Sequence, residues 1–453
     1  MSKLPSTWID VEIGEIAEVM GGGTPKANDV ENFTAPGEGI AWLTPADLSG
    51  YKRKEIAFGA RDLTLEGYKS CSAKLMPKGS LLFSSRAPIG YVAVAANEIA
   101  TNQGFKSFVL SHGIDPSYAF YYLKSIRQLA DSLGTGTTFK EISGATAKTL
   151  PFRLAPTAEQ TRIAAKLDEL LAQVDTLKVR IDGIPALLKR FRQSVLAAAV
   201  SGRLTKEWRV AVHETSQDQG FLYPVRRLGV IARFIDYRGK TPEKVDSGVP
   251  LITAKNIKSG YISRVPREFI RPEAYESWMT RGIPKVGDVL ITTEAPLGNV
   301  AVIDITEKFA LAQRAICLQF HEGYSSSFAA IALQSSLLQE ELARRSTGTT
   351  VKGIKASVLK EIGLPAPSID EQNEIVHRVE QLFAYAEQLE TKVSEAKKRI
   401  DHLAQSILAK AFKGDLVPQD PNDEPADVLL EHIKAQRTAA PKAKRSRRSA
   451  TAD

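Results

Sequence analysis

From Ile163 onward the apolar positions of the chain advance in alternating steps of four and three: Ile163, Leu167, Leu170, Val174, Leu177, Ile181, Ile184, Leu188, Phe191 and Val195. That spacing is the a/d seam of a heptad, a single apolar stripe along a long amphipathic helix. The stripe returns 212 residues later at Ile375, Val379, Leu382, Ala386, Leu389, Val393, Ala396, Ile400, Leu403 and Ile407. Thr157 and Ser368 are placed as N-caps. Glu159 and Glu371 then fall in the first turns, where a carboxylate faces the positive end of the helix dipole. Gly202 and Gly414 are the matching C-terminal stops. Each helix is expected to run about 42 residues, or roughly 63 Å. Gly183 and Pro185 stand in the first stripe where the second has Glu395 and Lys397, which predicts a kink or break.

The repetition extends beyond the helices. Gly90-Tyr91-Val92-Ala93-Val94 matches Gly298-Asn299-Val300-Ala301-Val302 at an offset of 208, and Ala87-Pro88 matches Ala295-Pro296. Gln103 falls on Gln313, Gly136-Thr137-Thr138 on Gly348-Thr349-Thr350, and Glu159-Gln160 on Glu371-Gln372. The offset drifts from 208 to 212 before each helix and then locks, as expected for loop insertions followed by a length that geometry holds constant. The intervening segments read as short strands beside turn signals, at Ser80–Ser84, Gly90–Ala95, Asp288–Thr292 and Asn299–Ile303, with helices near Tyr118–Leu129 and Ser327–Ala343. The predicted class is α+β: two globular units with small mixed sheets, separated by two long antiparallel coiled-coil helices in a pseudo-two-fold tandem repeat. The segments are 1–156 (first globular unit), 157–205 (central helix), 206–367 (second unit), 368–414 (distal helix) and 415–453 (C-terminal segment with a basic tail). Seams within one chain pair more readily with each other than between chains.

Charge adds less than its total suggests. The 453 residues hold 60 Lys+Arg against 52 Asp+Glu, a formal net charge of +8. Residues 434–453 alone contribute seven basic groups against one acid, so most of the excess lies in a tail whose composition predicts disorder. Within the rest, residues 221–367 carry +6 and residues 368–433 carry −7, which assigns any polyanion contact to the globular units rather than the second helix. Two cysteines, Cys71 and Cys317, with no paired spacing, argue against a zinc site and fit a reducing cytoplasm. No secretory segment and no apolar run of spanning length is visible, so no membrane association is expected.

Catalytic motifs are missing from the pattern. Gly21-Gly22-Gly23-Thr24 is not a dinucleotide fingerprint, and Gly239-Lys240-Thr241 fails as a phosphate loop because Phe234 occupies the first glycine position. There is no Asn-Pro-Pro-Tyr or Asp-Pro-Pro-Tyr run of the kind an amino-methyltransferase uses, and the six histidines are scattered. His112 and His321 align as turn residues. No catalytic residue and no metal ligand is assigned, which favours a binding protein over an enzyme. A stand-alone DNA methyltransferase or nuclease, and a coiled-coil adaptor, are the alternatives.

Three further stretches carry a resemblance. They are Pro156-Thr157-Ala158-Glu159-Gln160 through Val174-Asp175, Ile184-Pro185-Ala186-Leu187-Leu188-Lys189-Arg190-Phe191-Arg192-Gln193, and Leu416-Val417-Pro418-Gln419-Asp420-Pro421-Asn422-Asp423-Glu424-Pro425-Ala426. With the tandem repeat, they resemble the DNA-specificity subunit of Type I restriction–modification systems, enterobacterial-type branch, over residues 1–433. The resemblance implies that each globular unit is a target-recognition domain reading one half of a split, asymmetric site in double-stranded DNA. It implies that the seam Ile163, Leu167, Leu170, Val174, Leu177, Ile375, Val379, Leu382, Leu389 and Val393 sets the gap between halves and docks two methyltransferase subunits. It further implies two restriction (translocase/nuclease) subunits, with S-adenosylmethionine, ATP and Mg²⁺ bound by those partners and no cofactor by this chain.

The DNA contacts are expected on loops. Ser84, Ser85 and Arg86 align with Thr292 and Thr293 at strand ends, and Thr137, Thr138 and Lys140 align with Thr349, Thr350 and Lys352 beside glycines. Hydroxyls, lysines and exposed backbone N–H groups are the usual phosphate partners. Lys52, Arg53, Lys255, Asn256 and Lys258 are further candidates, in Lys52-Arg53-Lys54 and Lys255-Asn256-Ile257-Lys258. Gln103 and Gln313 carry the amide that suits adenine, but their alignment favours a structural role, because residues that read bases should differ between two unlike readers.

Overall fold

The computed structural model describes residues 4–86, 88–136, 140–213, 223–237, 242–312, 314–348 and 351–439. The chain divides into two compact units, Met1–Arg180 with Ala396–Asp453, and Ile181–Glu395. Both boundaries fall inside the long helices, so each unit owns part of both helices. The basic tail beyond Ala439 lies outside the described residues.

In the first unit, strand Ile9–Glu12 pairs antiparallel with Pro151–Leu154, placing Ile9 opposite Leu154. The main sheet has the order Ala17–Gly21, Lys106–Leu110, Leu81–Phe83, Val92–Ala95, Glu55–Ile56. Its last pairing is parallel and the others antiparallel, as the expected mixed sheet requires. Helix Pro116–Ser125 starts where the Asp115 carboxylate accepts the Ser117 and Tyr118 N–H groups, and it buries Tyr118 through Leu123.

The second unit repeats this plan. Its sheet has the order Ala232–Asp236, Ala315–Phe320, Val289–Thr293, Leu297–Val302, every pairing antiparallel. Apolar side chains cover both faces of this sheet. Val289, Ile291, Val300, Ile316 and Leu318 join one core with Phe328, Ile375 and Val379. Leu290, Ala301 and Cys317 join another with Ile252 and Ile270. Alternate strand residues point to opposite faces, so a strand buried on both sides reads as the unbroken apolar run seen at Val289–Ile291.

The long helices span Thr157–Val200 and Ile369–Ala411. Within the second unit Arg192 pairs with Glu390 at 3.3 Å, and the Arg378 guanidinium donates to the Leu204 carbonyl at 2.9 Å. Rising numbers on one helix meet falling numbers on the other, so the pairing is antiparallel. In the first unit Lys178 meets Asp401 at 3.0 Å. Of the seam residues, Ile163, Leu167, Val174, Ile375 and Val379 are buried, and Leu170, Leu382, Leu389 and Val393 half-buried. Leu177 is 44 % exposed, as is Leu403, so the stripe is not closed along its whole length.

Three local expectations are corrected. The first long helix runs through Gly183 and Pro185 without a break. Only the break is corrected: proline removes its own N–H bond and its ring crowds the carbonyl of the preceding turn, which bends a helix without ending it. Thr157 is the first helical residue rather than the cap, and its hydroxyl donates to the Gly113 carbonyl at 3.0 Å. Ser368, by contrast, does accept the Glu371 N–H. The single helices expected near 118–129 and 327–343 are each two: Pro116–Ser125 with Arg127–Ser132, and Ser326–Gln334 with Ser336–Arg345. Ser335 leaves the helical conformation to cap the next helix through its hydroxyl, accepting the Leu338 N–H. The two C-terminal stops hold: Gly202 has φ +77° and Gly414 φ +82°.

Candidate nucleic-acid interface

Two loops in each unit are laced together by backbone hydrogen bonds, and the lacing is the same in both. In the first unit Thr135 and Glu141 exchange N–H···O bonds across the base of one loop, and Ile142 N–H donates to the Ser85 carbonyl in the other. In the second, Thr347 and Gly353 make the equivalent exchange, and Ile354 N–H donates to the Thr293 carbonyl. The strand-end hydroxyls serve this architecture. The Tyr91 N–H donates to Ser84 Oγ at 2.8 Å, and the Asn299 N–H to Thr292 Oγ1 at 2.9 Å. Ser84, Ser85 and Thr292 are fully buried, and Thr293 is 2 % exposed. These four therefore leave the set of candidate contacts. The alignment records a shared turn, in which the buried Ser84 and Thr292 hydroxyls satisfy backbone groups that water cannot reach.

Asn256 is corrected in the same way. It is buried, and its side chain accepts from Thr253 N–H and hydroxyl while donating to the Ser263 and Pro266 carbonyls. Asp47 does the equivalent work in the first unit, accepting from Thr44 N–H at 2.7 Å. Gln103 receives the Thr24 hydroxyl, a structural use. Thr137, Thr138, Thr349, Thr350 and Gln313 lie outside the described residues.

The charged candidates remain at the surface. Arg86 lies 3.7 Å from Glu141, and Lys140 lies 3.5 Å from Asp131. Lys352 is exposed at the equivalent loop of the second unit. Exposed ion pairs of this kind are weak. Lys52 and Arg53 line a cleft of about 380 Å³ in the first unit with Lys124, Arg127, Tyr51, Tyr91 and Gln405. Among the described residues, four cations and no acid line this cleft. Burial lowers the Lys124 ammonium from its ordinary pKa, against the pull of Asp175. Lys54 turns away instead, onto Asp168 at 2.8 Å. In the second unit Lys255 lines a recess with Lys244, Ala254, Glu268, Ala295 and Arg314, where Lys244 pairs with Glu268 at 2.8 Å, while Lys258 sits half-buried beyond it.

Sequence reasoning missed Lys124, Arg127, Lys244 and Arg314. Lys124 closes one short helix and Arg127 opens the next, so no single helical period joins them. Nothing in the order of residues links Lys244 to Arg314. His112 and His321 are exposed turn residues. Among the described residues no group of three or more His, Cys, Asp and Glu could hold a metal ion.

Behind the loops, paired residues fix the helix starts. Glu159 is buried and accepts the Trp8 indole N–H at 2.8 Å and the Gln419 amide at 2.5 Å. Glu371, also buried, accepts the Thr205 and Tyr223 hydroxyls at 2.7 Å and the Arg209 guanidinium. The next residue, Gln160 or Gln372, ties the helix to the loop ahead of the sheet-packing helix. The first-turn carboxylates thus do more than face a dipole.

One loop skeleton is built twice, with different cations beside it in the two units. The family described as the Type I restriction modification DNA specificity domain matches residues 5–186 and 227–397. The specificity subunit of the Escherichia coli Type I restriction enzyme EcoBI is 36 % identical over 347 residues, 72 % of this chain and 72 % of that one. The specificity subunit of the EcoKI enzyme from Escherichia coli strain K12 is 29 % identical over 478 aligned positions, 98 % of this chain and 99 % of that one. In fold, the chain is similar to the HsdS subunit from Thermoanaerobacter tengcongensis, with a TM-score of 0.61 and 20 % identity, covering 91 % of this chain and 98 % of that one. The chain belongs to the Type I restriction–modification DNA-specificity subunits.

Proposed function

We propose that this subunit reads a two-part, asymmetric site in double-stranded DNA, one half with each unit, and directs adenine methylation or cleavage by partner subunits. The observation that carries the reading is the shared lacing of the loops with unlike charge around it: a cleft bearing Lys52, Arg53, Lys124 and Arg127 in the first unit, a recess bearing Lys244, Lys255 and Arg314 in the second. Cations of this kind hold the protein in register on the phosphate backbone, and base-edge contacts from side chains that differ between the units supply the readout. The long helices act as the ruler between half-sites and as the docking surface for two methyltransferase subunits, with two restriction subunits completing the assembly. S-adenosylmethionine, ATP and Mg²⁺ belong to those partners, and adenine flipping to the methyltransferase. The setting is the cytoplasm. Among the described residues no helix is long and apolar enough to cross a membrane.

Methylation profiling of host DNA with and without the chain tests this. One bipartite motif with a fixed internal gap is expected to disappear with the chain; an unchanged methylome rejects the reading. The purified chain, given labelled S-adenosylmethionine or Mg²⁺ with DNA, is expected to show no turnover, and robust turnover assigns the chemistry to this chain instead.

A further inference from the structure

Arg314 occupies a backbone station that the first unit closes to any side chain. The Thr293 N–H donates to the Arg314 carbonyl at 2.9 Å, and the Ser85 N–H donates to the Gly104 carbonyl at 2.8 Å, so Gly104 and Arg314 hold the same place. A side-chain carbon at Gly104 would stand 2.8 Å from the Pro45 ring. Pro45 follows Thr44, the residue capped by Asp47, and its counterpart after Thr253 is Ala254. The second unit thus replaces proline by alanine on one turn and glycine by arginine on the facing one. Space is cleared and an arginine is placed in it, and both Ala254 and Arg314 line the resulting recess of about 240 Å³.

The arginine is held there against its backbone preference. Among the described residues only Ala295 (φ +44°) and Arg314 (φ +71°) are non-glycines in the left-handed region, and both line this recess. Backbone held in such conformations clusters at functional sites, because the fold must over-determine it. Arg314 Nε meets Glu294 Oε1 at 3.2 Å, and Glu294 is bridged to Gly353 of the second laced loop. The Arg314 side chain is 51 % exposed, with its Nε edge on Glu294. The two terminal amino groups are the fork that pairs with O6 and N7 of guanine in the major groove.

We propose that Arg314 is a base-reading residue of the second unit, oriented by Glu294 to recognise a guanine in one half-site. The inference rests on the DNA-reading function proposed above. It is tested by methylation profiling of the full system carrying Arg314→Gly, Arg314→Lys or Glu294→Gln. Glycine adopts φ +71° without strain, so Arg314→Gly is expected to melt no lower than the parent. All three variants are expected to relax one G·C position of one half-site, Arg314→Gly by roughly ten- to a hundred-fold in discrimination, with the other half-site unchanged. Lysine keeps the charge but not the fork, so retained discrimination in Arg314→Lys overturns bidentate reading. Full discrimination in Arg314→Gly, or uniformly weaker methylation with unaltered base preference, assigns Arg314 a structural role and overturns the proposal. A parent system without any bipartite motif instead rejects the functional reading beneath it.

Discussion

Gln160 and Gln372 make the same two backbone hydrogen bonds in their respective units. Gln160 accepts the Asp115 N–H at 2.9 Å and donates to the Ala155 carbonyl at 2.8 Å. Gln372 accepts the Ser325 N–H at 2.7 Å and donates to the Pro367 carbonyl at 2.9 Å. Each amide is buried and joins a long helix to the loop leading into the helix that packs on the sheet. Truncation to alanine strands a backbone donor and acceptor. Gln160→Ala or Gln372→Ala is expected to cost about 1–3 kcal/mol, read as a lower urea midpoint.

The hub at Glu371 should be more sensitive. Removing its carboxylate leaves Arg209, whose side chain is 9 % exposed, with a charge that has lost its buried counter-ion. Glu371→Ala is expected to destabilise by about 3–5 kcal/mol. Equilibrium denaturation compared with Arg209→Met/Glu371→Leu checks this. The double variant should recover much of the loss, because it removes both members of the buried pair.

Glu159 makes a pH-dependent contribution to stability. Burial lifts its carboxyl above the usual carboxylate range, only partly opposed by hydrogen bonds from Trp8 and Gln419. Between the unfolded pKa and this raised value the folded state holds a proton that the unfolded state has released. The contribution is therefore full below the unfolded pKa and lost as pH rises through the folded one. Relative to Glu159→Gln, the parent should gain stability as pH falls from about 7 toward about 4.5. Parallel denaturation curves across that range would contradict it.

The cleft of the first unit should act on affinity without altering the motif. Replacing Lys52, Arg53, Lys124 and Arg127 together by alanine removes up to four phosphate partners. The slope of log affinity against log salt should shrink by about 0.9 for each phosphate no longer neutralised. Binding titrations at several salt concentrations measure the slope, and methylation profiling should return the parent motif.

The ruler can be tested by length. Four residues inserted between Leu177 and Ile181 lengthen the first helix by about 6 Å and rotate its C-terminal part by about 40°. The expected outcome is a changed gap between half-sites or failed assembly with the methyltransferase. An unaltered motif with normal assembly would remove the helices from that role.

The features legible in the chain were periodic or punctuated. The seam from Ile163 to Val195 and its copy announced two helices because burial along a helix repeats every few residues. Gly202 and Gly414 marked their ends because a left-handed residue needs glycine. The helix break at Ser335 and the continuity through Pro185 depend on local hydrogen bonding that no period encodes. Ser84 and Thr292 were misread for a related reason: a hydroxyl after a strand looks the same in sequence whether it faces water or closes a buried turn. The recess at Arg314 was invisible because Lys244, Lys255, Ala295 and Arg314 meet only when three turns converge.

The division of the chain sets an order of birth. The first unit needs residues from both ends: the Phe412 ring packs edge-on against Tyr118, Gln419 satisfies Glu159, and Arg162 pairs with Asp423 at 2.5 Å. The second unit is one continuous stretch, Ile181–Glu395. On the ribosome the unit begun second can therefore be finished first. The unit begun first waits, its Glu159 and Tyr118 uncovered, until the segment that follows the second helix has been made.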